Sequence, residues 1–245
     1  MKLDSPPVVE LVLGFHLKND VLSQQHIFNI YEKLKEDFPT IEERQPLLDN
    51  PIRRPGETVI SVGQSYNSRK LFINSEDNKL VQLQSNKFFF NWRKGKNQSD
   101  YPDFAGIMSD FNQTLARIEE VVEISSHVDT YETTYFDHIV QSEFQTDSFN
   151  PFPALNLIKM DRDLTGLNLE LFFHEEAVPG DILLRVQSAI RNSDSEKILN
   201  METKCLGKDS KLDYKGWFDR SHEELVNLFG SLLQPKALEV WKQRS

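Results

Sequence analysis

LVQLQSNKFFFNWRK, residues 80–94, is the stretch whose reading decides the fold. Residues 79–84 and 87–93 each have the short, apolar-rich pattern of a strand, and Ser85-Asn86 between them has the chemistry of a bend. In the second strand Phe88, Phe90 and Trp92 point to one side, and Phe89, Asn91 and Arg93 to the other, because side chains alternate along extended backbone. The first set is apolar enough to be core. The second offers an aromatic ring, an amide and a guanidinium, with Lys94 adding local positive charge.

Working upstream, residues 70–74 form a third strand, joined to residue 79 through the polar turn Ser75-Glu76-Asp77-Asn78. The stretch therefore reads as an antiparallel meander. Residues 8–17, VVELVLGFHL, are β-branched and apolar enough for a strand. Ser23 is placed to N-cap a helix running to about residue 38, in which Ile27, Ile30, Tyr31 and Leu34 make one apolar face. Residues 40–57 read as irregular, with Pro46, Pro51 and Pro55-Gly56, followed by a short strand at 58–62.

Downstream, residues 95–100 are a polar loop. Residues 101–125 form the longest helical pattern, with Phe104, Ile107, Met108, Phe111, Leu115, Ile118 and Val122 at 3–4 spacing. Its acidic end, Glu119, Glu120 and Glu123, is unusual for a helix C-terminus, where cations are favoured. Residues 128–140 are a strand, and 142–153 a loop with room for a short helical turn. Strands follow at 155–160, 167–174, 182–190 and 198–205, then a helix at 214–233 and a short one from Pro235 that carries Trp241. Hairpin-linked strands followed by helices define an α+β fold: antiparallel β-meanders packed by long amphipathic helices. The chain reads as a single domain over 1–245. The order β-α-meander-α then β-meander-α suggests two similar halves, which would be subdomains 1–141 and 154–245 joined by the loop 142–153.

Composition narrows the function classes. With 38% hydrophobic, 27% charged and 11% aromatic residues, the chain has the balance of a globular protein rather than a disordered one. A formal net charge of −10 repels phosphate backbones at long range, leaving nucleic-acid contact only to a local basic patch. One cysteine, Cys205, rules out an intrachain disulfide and a cysteine zinc cluster, and its default reading is a buried thiol. Glu10 interrupts the apolar run near the N-terminus, and no apolar stretch is long enough to span a bilayer, so a cytoplasmic, soluble protein without membrane partners is expected.

The candidate binding residues are Phe89, Asn91, Arg93 and Lys94 on the first strand, with Tyr131 and Tyr135 on the strand at 128–140. A ring, an amide and a guanidinium suit stacking on a base or gripping a carboxylate or phosphate. The competing reading is that Asn91 and Arg93 satisfy neighbouring groups in a central strand. Asp137 and His138 are adjacent on a strand and so face opposite ways, which forbids a direct dyad. Asp194, Glu202 and Lys204 echo the spacing of a metal-dependent nuclease, but Asp194 falls in a turn where Asp is expected anyway. His174 and His222 lack the i, i+4 histidine partner of a helical zinc site, and His222 fits a helix–sheet contact making one hydrogen bond. No phosphate-cradling loop or nucleophile elbow occurs. No cofactor, metal or catalytic residue is therefore assigned.

PPVVELVLGF at 6–15, the 80–94 stretch, YPDF at 101–104, YETTYFDHI at 131–139 and WFDRSHEELVNLF with ALEVW at 217–241 together resemble a sporadically distributed, uncharacterised family of bacterial and archaeal proteins of similar length. Relatives carry Asn where this chain has His138, which weakens any requirement for that histidine. Patchy distribution implies mobile genes, such as phage-defence or toxin–antitoxin loci. The expected function is a non-enzymatic interaction or accessory protein that binds a protein or nucleic-acid partner, and that can oligomerise. The alternatives are a nucleic-acid- or nucleotide-processing enzyme and a small-ligand-sensing domain; the latter requires a pocket beside residues 80–94.

Overall fold

The computed structural model describes residues 3, 5–47, 68–95, 100–146, 149–150, 153–155, 164–175, 180–208 and 211–242. In these residues nine strands build one antiparallel sheet: β1 (Val8–Leu17), β2 (Thr40–Arg44), β3 (Arg69–Ile73), β4 (Lys79–Gln84), β5 (Lys87–Arg93), β6 (Val128–Val140), β7 (Asn168–Glu175), β8 (Gly180–Ile190) and β9 (Lys197–Gly207). Their spatial order is β2-β3-β4-β5-β1-β6-β9-β8-β7. The helices are α1 (Gln24–Leu34), α2 (Phe104–Glu119), α3 (Tyr214–Leu232) and α4 (Pro235–Lys242). The α+β class with antiparallel meanders is thus the observed architecture. Each meander returns to the middle: β5 pairs with β1, β9 pairs with β6, and β1 pairs with β6.

The helices pack on one face of the sheet. Leu11, Leu13 and Phe15 of β1, Phe88, Phe90 and Trp92 of β5, and Tyr131 and Tyr135 of β6 join Ile107, Phe111, Leu115 and Ile118 of α2 and Trp217 and Phe218 of α3 in the main core. Phe15 sits at its centre, within 5.5–6.1 Å of the rings of Phe88, Phe111, Tyr131, Tyr214 and Phe218. A second cluster joins Leu184, Val186, Leu199 and Met201 to Trp241 of α4. The other face carries polar side chains along most of its width.

Local chemistry accounts for the element boundaries. The Ser23 hydroxyl accepts from His26 N (3.1 Å) and caps α1 as its sequence position requires. Asp103 and Asp213 cap α2 and α3 through Gly106 N and Gly216 N, both at 2.8 Å. α2 stops at Glu119 rather than near residue 125, and its acidic end explains why. Ser125 N and Oγ both donate to the Glu119 carboxylate, so the chain folds back onto the helix and enters a 3-10 turn at Ser125–His127.

A second correction concerns residues 40–57. Residues 40–44 pair with β3 in regular register and are a strand, not irregular chain. An edge strand buries little, so TIEER needs only one apolar residue and shows no alternation. The expected strand at 58–62 and most of the one at 155–160 lie outside the described residues; Leu155 makes one bridge, to Leu233.

Gly14 faces Phe89 directly across the β1–β5 pair. A Cβ at residue 14 would lie 2.0 Å from the Phe89 ring, so the ring occupies the space that any side chain would need. Gly14→Val should therefore destabilise the protein by about 1–3 kcal/mol through overpacking. In a Phe89→Ala background most of that cost should vanish. Urea midpoints of the four-member cycle measure the coupling, and additive effects would refute it.

Candidate functional site

Two neighbouring features concentrate the chemistry: a ladder of charges across the open face of the sheet, and a groove at one end of the strands. The ladder starts on β5, where Lys87 Nζ donates to His16 Nδ1 (3.3 Å), and His16 Nε2 then donates to Glu132 Oε2 (2.8 Å). Lys204 Nζ stands 3.2 Å from Glu132 and 3.6 Å from Glu202. Arg185 donates to Glu202 Oε2 (2.7 Å) and also pairs with Glu170. Acidic and basic side chains thus contact one another across the strands from β1 to β7. Although burial alone would raise the Glu132 carboxyl, His16, Lys204 and a 2.9 Å bond from Thr134 outweigh it and hold it down at about 2.

The groove, of 1410 Å³, lies where β1 begins and β5 ends. Pro6, Pro7, Glu10, Arg93, Lys94 and Tyr101 line it, with His138 and the β8–β9 turn, Arg191–Asp194, opposite. Backbone geometry builds this end. The pairing of β1 with β6 shifts register between Val8 and Glu10, a bulge that puts Glu10 on the open face and Val8 on the core face. Asp77, in the left-handed region at φ 58°, closes the β3–β4 turn and presents both its carbonyl and its carboxylate to Arg93. Gly95, at φ 59°, passes so close to the Asp77 carbonyl that a Cβ would lie 2.7 Å from it. On the far wall Arg191 grips both carboxylate oxygens of Asp194 (3.0 Å each).

Behind the groove, on the helix side, lies a buried polar cluster. Tyr101 OH is 3.4 Å from Tyr135 OH, and Tyr135 OH is 2.7 Å from His222 Nδ1. The imidazole of His222 stacks on Phe104 with centroids 4.0 Å apart. Burial pushes the Tyr101 phenol up to about 12, raises Tyr135 well above its ordinary value, and keeps the His222 imidazole down. Asp137, next on the same face of β6, is 3% exposed. Burial raises its carboxyl to about 7, and Lys94 only partly opposes this.

The structure brings some of the sequence-predicted residues together and separates others. Arg93 and Lys94 share the groove. Asn91 is one step behind them on β5, 2% exposed, donating to Glu10 Oε1 (2.5 Å) and accepting from Gln82 Nε2 (2.7 Å). Phe89 is 4% exposed, flat over Gly14 and edge-on to His16. Tyr131 and Tyr135 lie on the opposite face; Tyr131 sits among Phe15, Trp217 and Phe218, and Tyr135 holds His222. Asp137 and His138 point to opposite sides as alternation requires.

The metal-nuclease spacing does not assemble: Asp194 is bound by Arg191 in the turn, while Glu202 is bound by Arg185 on the open face. Among the described residues no group of three His, Cys, Asp or Glu could hold a metal. Cys205 is fully buried, as read. Glu132 on the strand at 128–140 fits a cross-strand polar ladder, but its partners His16 and Lys204 come from strands that only the sheet order makes adjacent. Comparison with family models, with curated proteins and with solved structures finds no match to this chain. No helix among the described residues is long and apolar enough to cross a membrane.

Two carboxyls displaced in opposite directions make opposite pH slopes. The raised Asp137 carboxyl contributes fully below its ordinary value of 3.8, and that contribution is lost as pH rises through about 7. Asp137→Asn should therefore stabilise the protein at pH 8, by up to about 4 kcal/mol, and have little effect at pH 4. The depressed Glu132 carboxyl contributes above 4.5, and loses it as pH falls toward about 2. Glu132→Gln should destabilise at pH 7 and progressively less in acid. Urea unfolding from pH 3 to pH 8 checks both slopes, and a flat Asp137→Asn difference would remove the case for a neutral Asp137.

Proposed function

We propose that this protein is a non-enzymatic binding component that seats a segment of a partner protein in the groove at the β1–β5 end. Its setting would be a prokaryotic multigene system, such as phage defence or toxin–antitoxin, as the sequence resemblance implies. The supporting observation is the pairing of charges in the groove. Arg93 is offset by Asp77 and Arg191 by Asp194, with Glu10, Asp100 and Glu143 nearby. Nucleic-acid affinity comes chiefly from cations that release counterions from phosphates, and cations already matched by carboxylates do this poorly. The open face is also largely self-neutralised, since Lys204 and Arg185 of its ladder each touch carboxylates. A polypeptide, with donors and acceptors of both kinds, suits walls of mixed sign better than a phosphate chain does.

One observation favours the enzymatic alternative: Asp137, a buried carboxyl raised to about 7 near Tyr101 and Tyr135, has the character of a general acid or base. It is nearly enclosed and does not line the groove, which makes a binding role for the groove the better-supported reading.

The test is direct. Filter binding and fluorescence anisotropy with single- and double-stranded DNA and RNA should show no affinity tighter than about 10⁻⁴ M at physiological salt, the weak end of non-specific binding. In the native host, photo-cross-linkers at Lys94 and Asn192 should capture one protein in common, and Arg191→Glu should lower its yield several-fold. Tight, salt-dependent nucleic-acid binding, or turnover of a nucleotide abolished by Asp137→Asn, would overturn the proposal.

A further inference from the structure

The sheet ends in two strands of very different chemistry. β2 is short and carries Glu42, Glu43 and Arg44; Arg44 pairs with Glu42, and Lys70 with Glu43. Charges along a short edge discourage another strand from adding to it. β7, NLELFFHE, has none of these devices on its described side chains beyond Glu170 and His174. It is free of proline, glycine and lysine, and it pairs with β8 over eight consecutive residues without a bulge. Leu171 on the helix-side face and Phe172 on the open face are each 37% exposed. Among the described residues, no strand pairs with its outer edge.

The direction of its free backbone groups can be deduced. Ser188 N donates to Leu167 O (2.9 Å), and these two residues are directly opposite in the β7–β8 register. Odd-numbered residues of β7 therefore bond inward to β8, and Asn168, Glu170, Phe172 and His174 turn their N–H and C=O groups outward. A strand adding to β7 must bond to those four.

We propose that the occupant is β7 of a second copy of this chain, antiparallel, with Phe172 on the two-fold axis. Apolar complementarity on both faces selects this register. It places Glu170 opposite the partner's His174, and Leu171 opposite the partner's Phe173, while Phe172 meets the partner's Phe172. Centring on Glu170 would set two carboxylates facing each other, and like charges directly opposite are destabilising; centring on His174 would move Phe172 off the axis and lose the Phe172–Phe172 contact. Centring on Leu171 would set Glu170, already held by Arg185, against the apolar ring of the partner's Phe172 and lose the Phe172–Phe172 contact. In the chosen register all the facing pairs 170–174, 172–172 and 174–170 have outward backbone groups, so both strands bond through them. The two sheets become one, and neither copy keeps an apolar edge.

Sedimentation velocity of the full chain at micromolar concentrations should show a dimer. Phe172→Lys should weaken it on the order of tenfold or more, whereas Ile41→Lys on the opposite edge should not. Should Phe172→Lys fail to fold, cysteine cross-linking decides. Phe172→Cys should give a covalent dimer on mild oxidation, Leu171→Cys alone should not, and the Leu171→Cys/Phe173→Cys double variant should. The native Cys205 is buried, its thiol pushed up to about 12, so it does not compete. A wild-type monomer at all concentrations, or cross-linking by Leu171→Cys alone as fast as by Phe172→Cys, would overturn the proposal.

Discussion

Everything in this fold hangs on β1 being paired on both sides. β5 runs antiparallel along one edge of it and β6 along the other, so it joins the first meander to β6, which in turn pairs with β9 of the second. A strand in that position has no water on either edge, and its helix-side residues cannot be half-polar. Leu11, Leu13 and Phe15 are all fully buried, and Phe15 alone contacts rings from β5, β6, α2 and α3. The aromatic cluster is thus the place where the two halves of the sheet are joined through side chains as well as through backbone. Edge-to-face contacts of this kind add to area burial, and their directionality helps set the orientation of the helices.

The opposite face obeys a different constraint. Its central residues are charged yet largely buried, and a buried charge is tolerated only when paired and hydrogen-bonded. The ladder satisfies that condition by pairing: Glu132 is held by His16 and Lys204, Glu202 by Arg185 and Lys204, and Glu170 by Arg185. Such a network adds little net stability against an apolar replacement, but a wrong register would bring like charges together across several strands at once. It therefore specifies the pairing of β1, β6, β9 and β8 more than it strengthens it.

Much of this was legible in the chain, and the exceptions have physical causes. β1, β5 and β6 match their expected spans because apolar alternation is strongest where a strand is buried on a face. β2 was not legible, since an exposed edge imposes almost no pattern on TIEER. The end of α2 was misplaced because periodicity continues through Val122, while the stop is made by the Glu119 side chain reaching Ser125, a contact invisible to spacing. Within the candidate site, alternation correctly separated Asp137 from His138 and grouped Phe89, Asn91 and Arg93. It could not show that Tyr131 and Tyr135 face the other way from that group. That relation depends on β1 lying between β5 and β6, which no local pattern encodes.

The same insertion shapes the end of the sheet where the groove lies. Pro6 and Pro7 lead into β1 and offer no N–H to a neighbour. The backbone bonds that close this end come instead from Lys94 N to Val9 O (2.9 Å) and from His138 N to Pro7 O (3.0 Å). β5 is thus tied to Val9 and β6 to Pro7, just ahead of β1, with the bulge between them. Alternation along β1 keeps Glu10 on the open face, alternation along β6 puts Asp137 on the helix side with Tyr135, and the bulge turns Val8 to that same side. The one acid then becomes part of a groove wall and the other a near-neutral carboxyl behind it. Strand alternation on either side of a one-residue bulge is therefore what separates a groove wall carrying Glu10 from the buried Asp137 beside Tyr135.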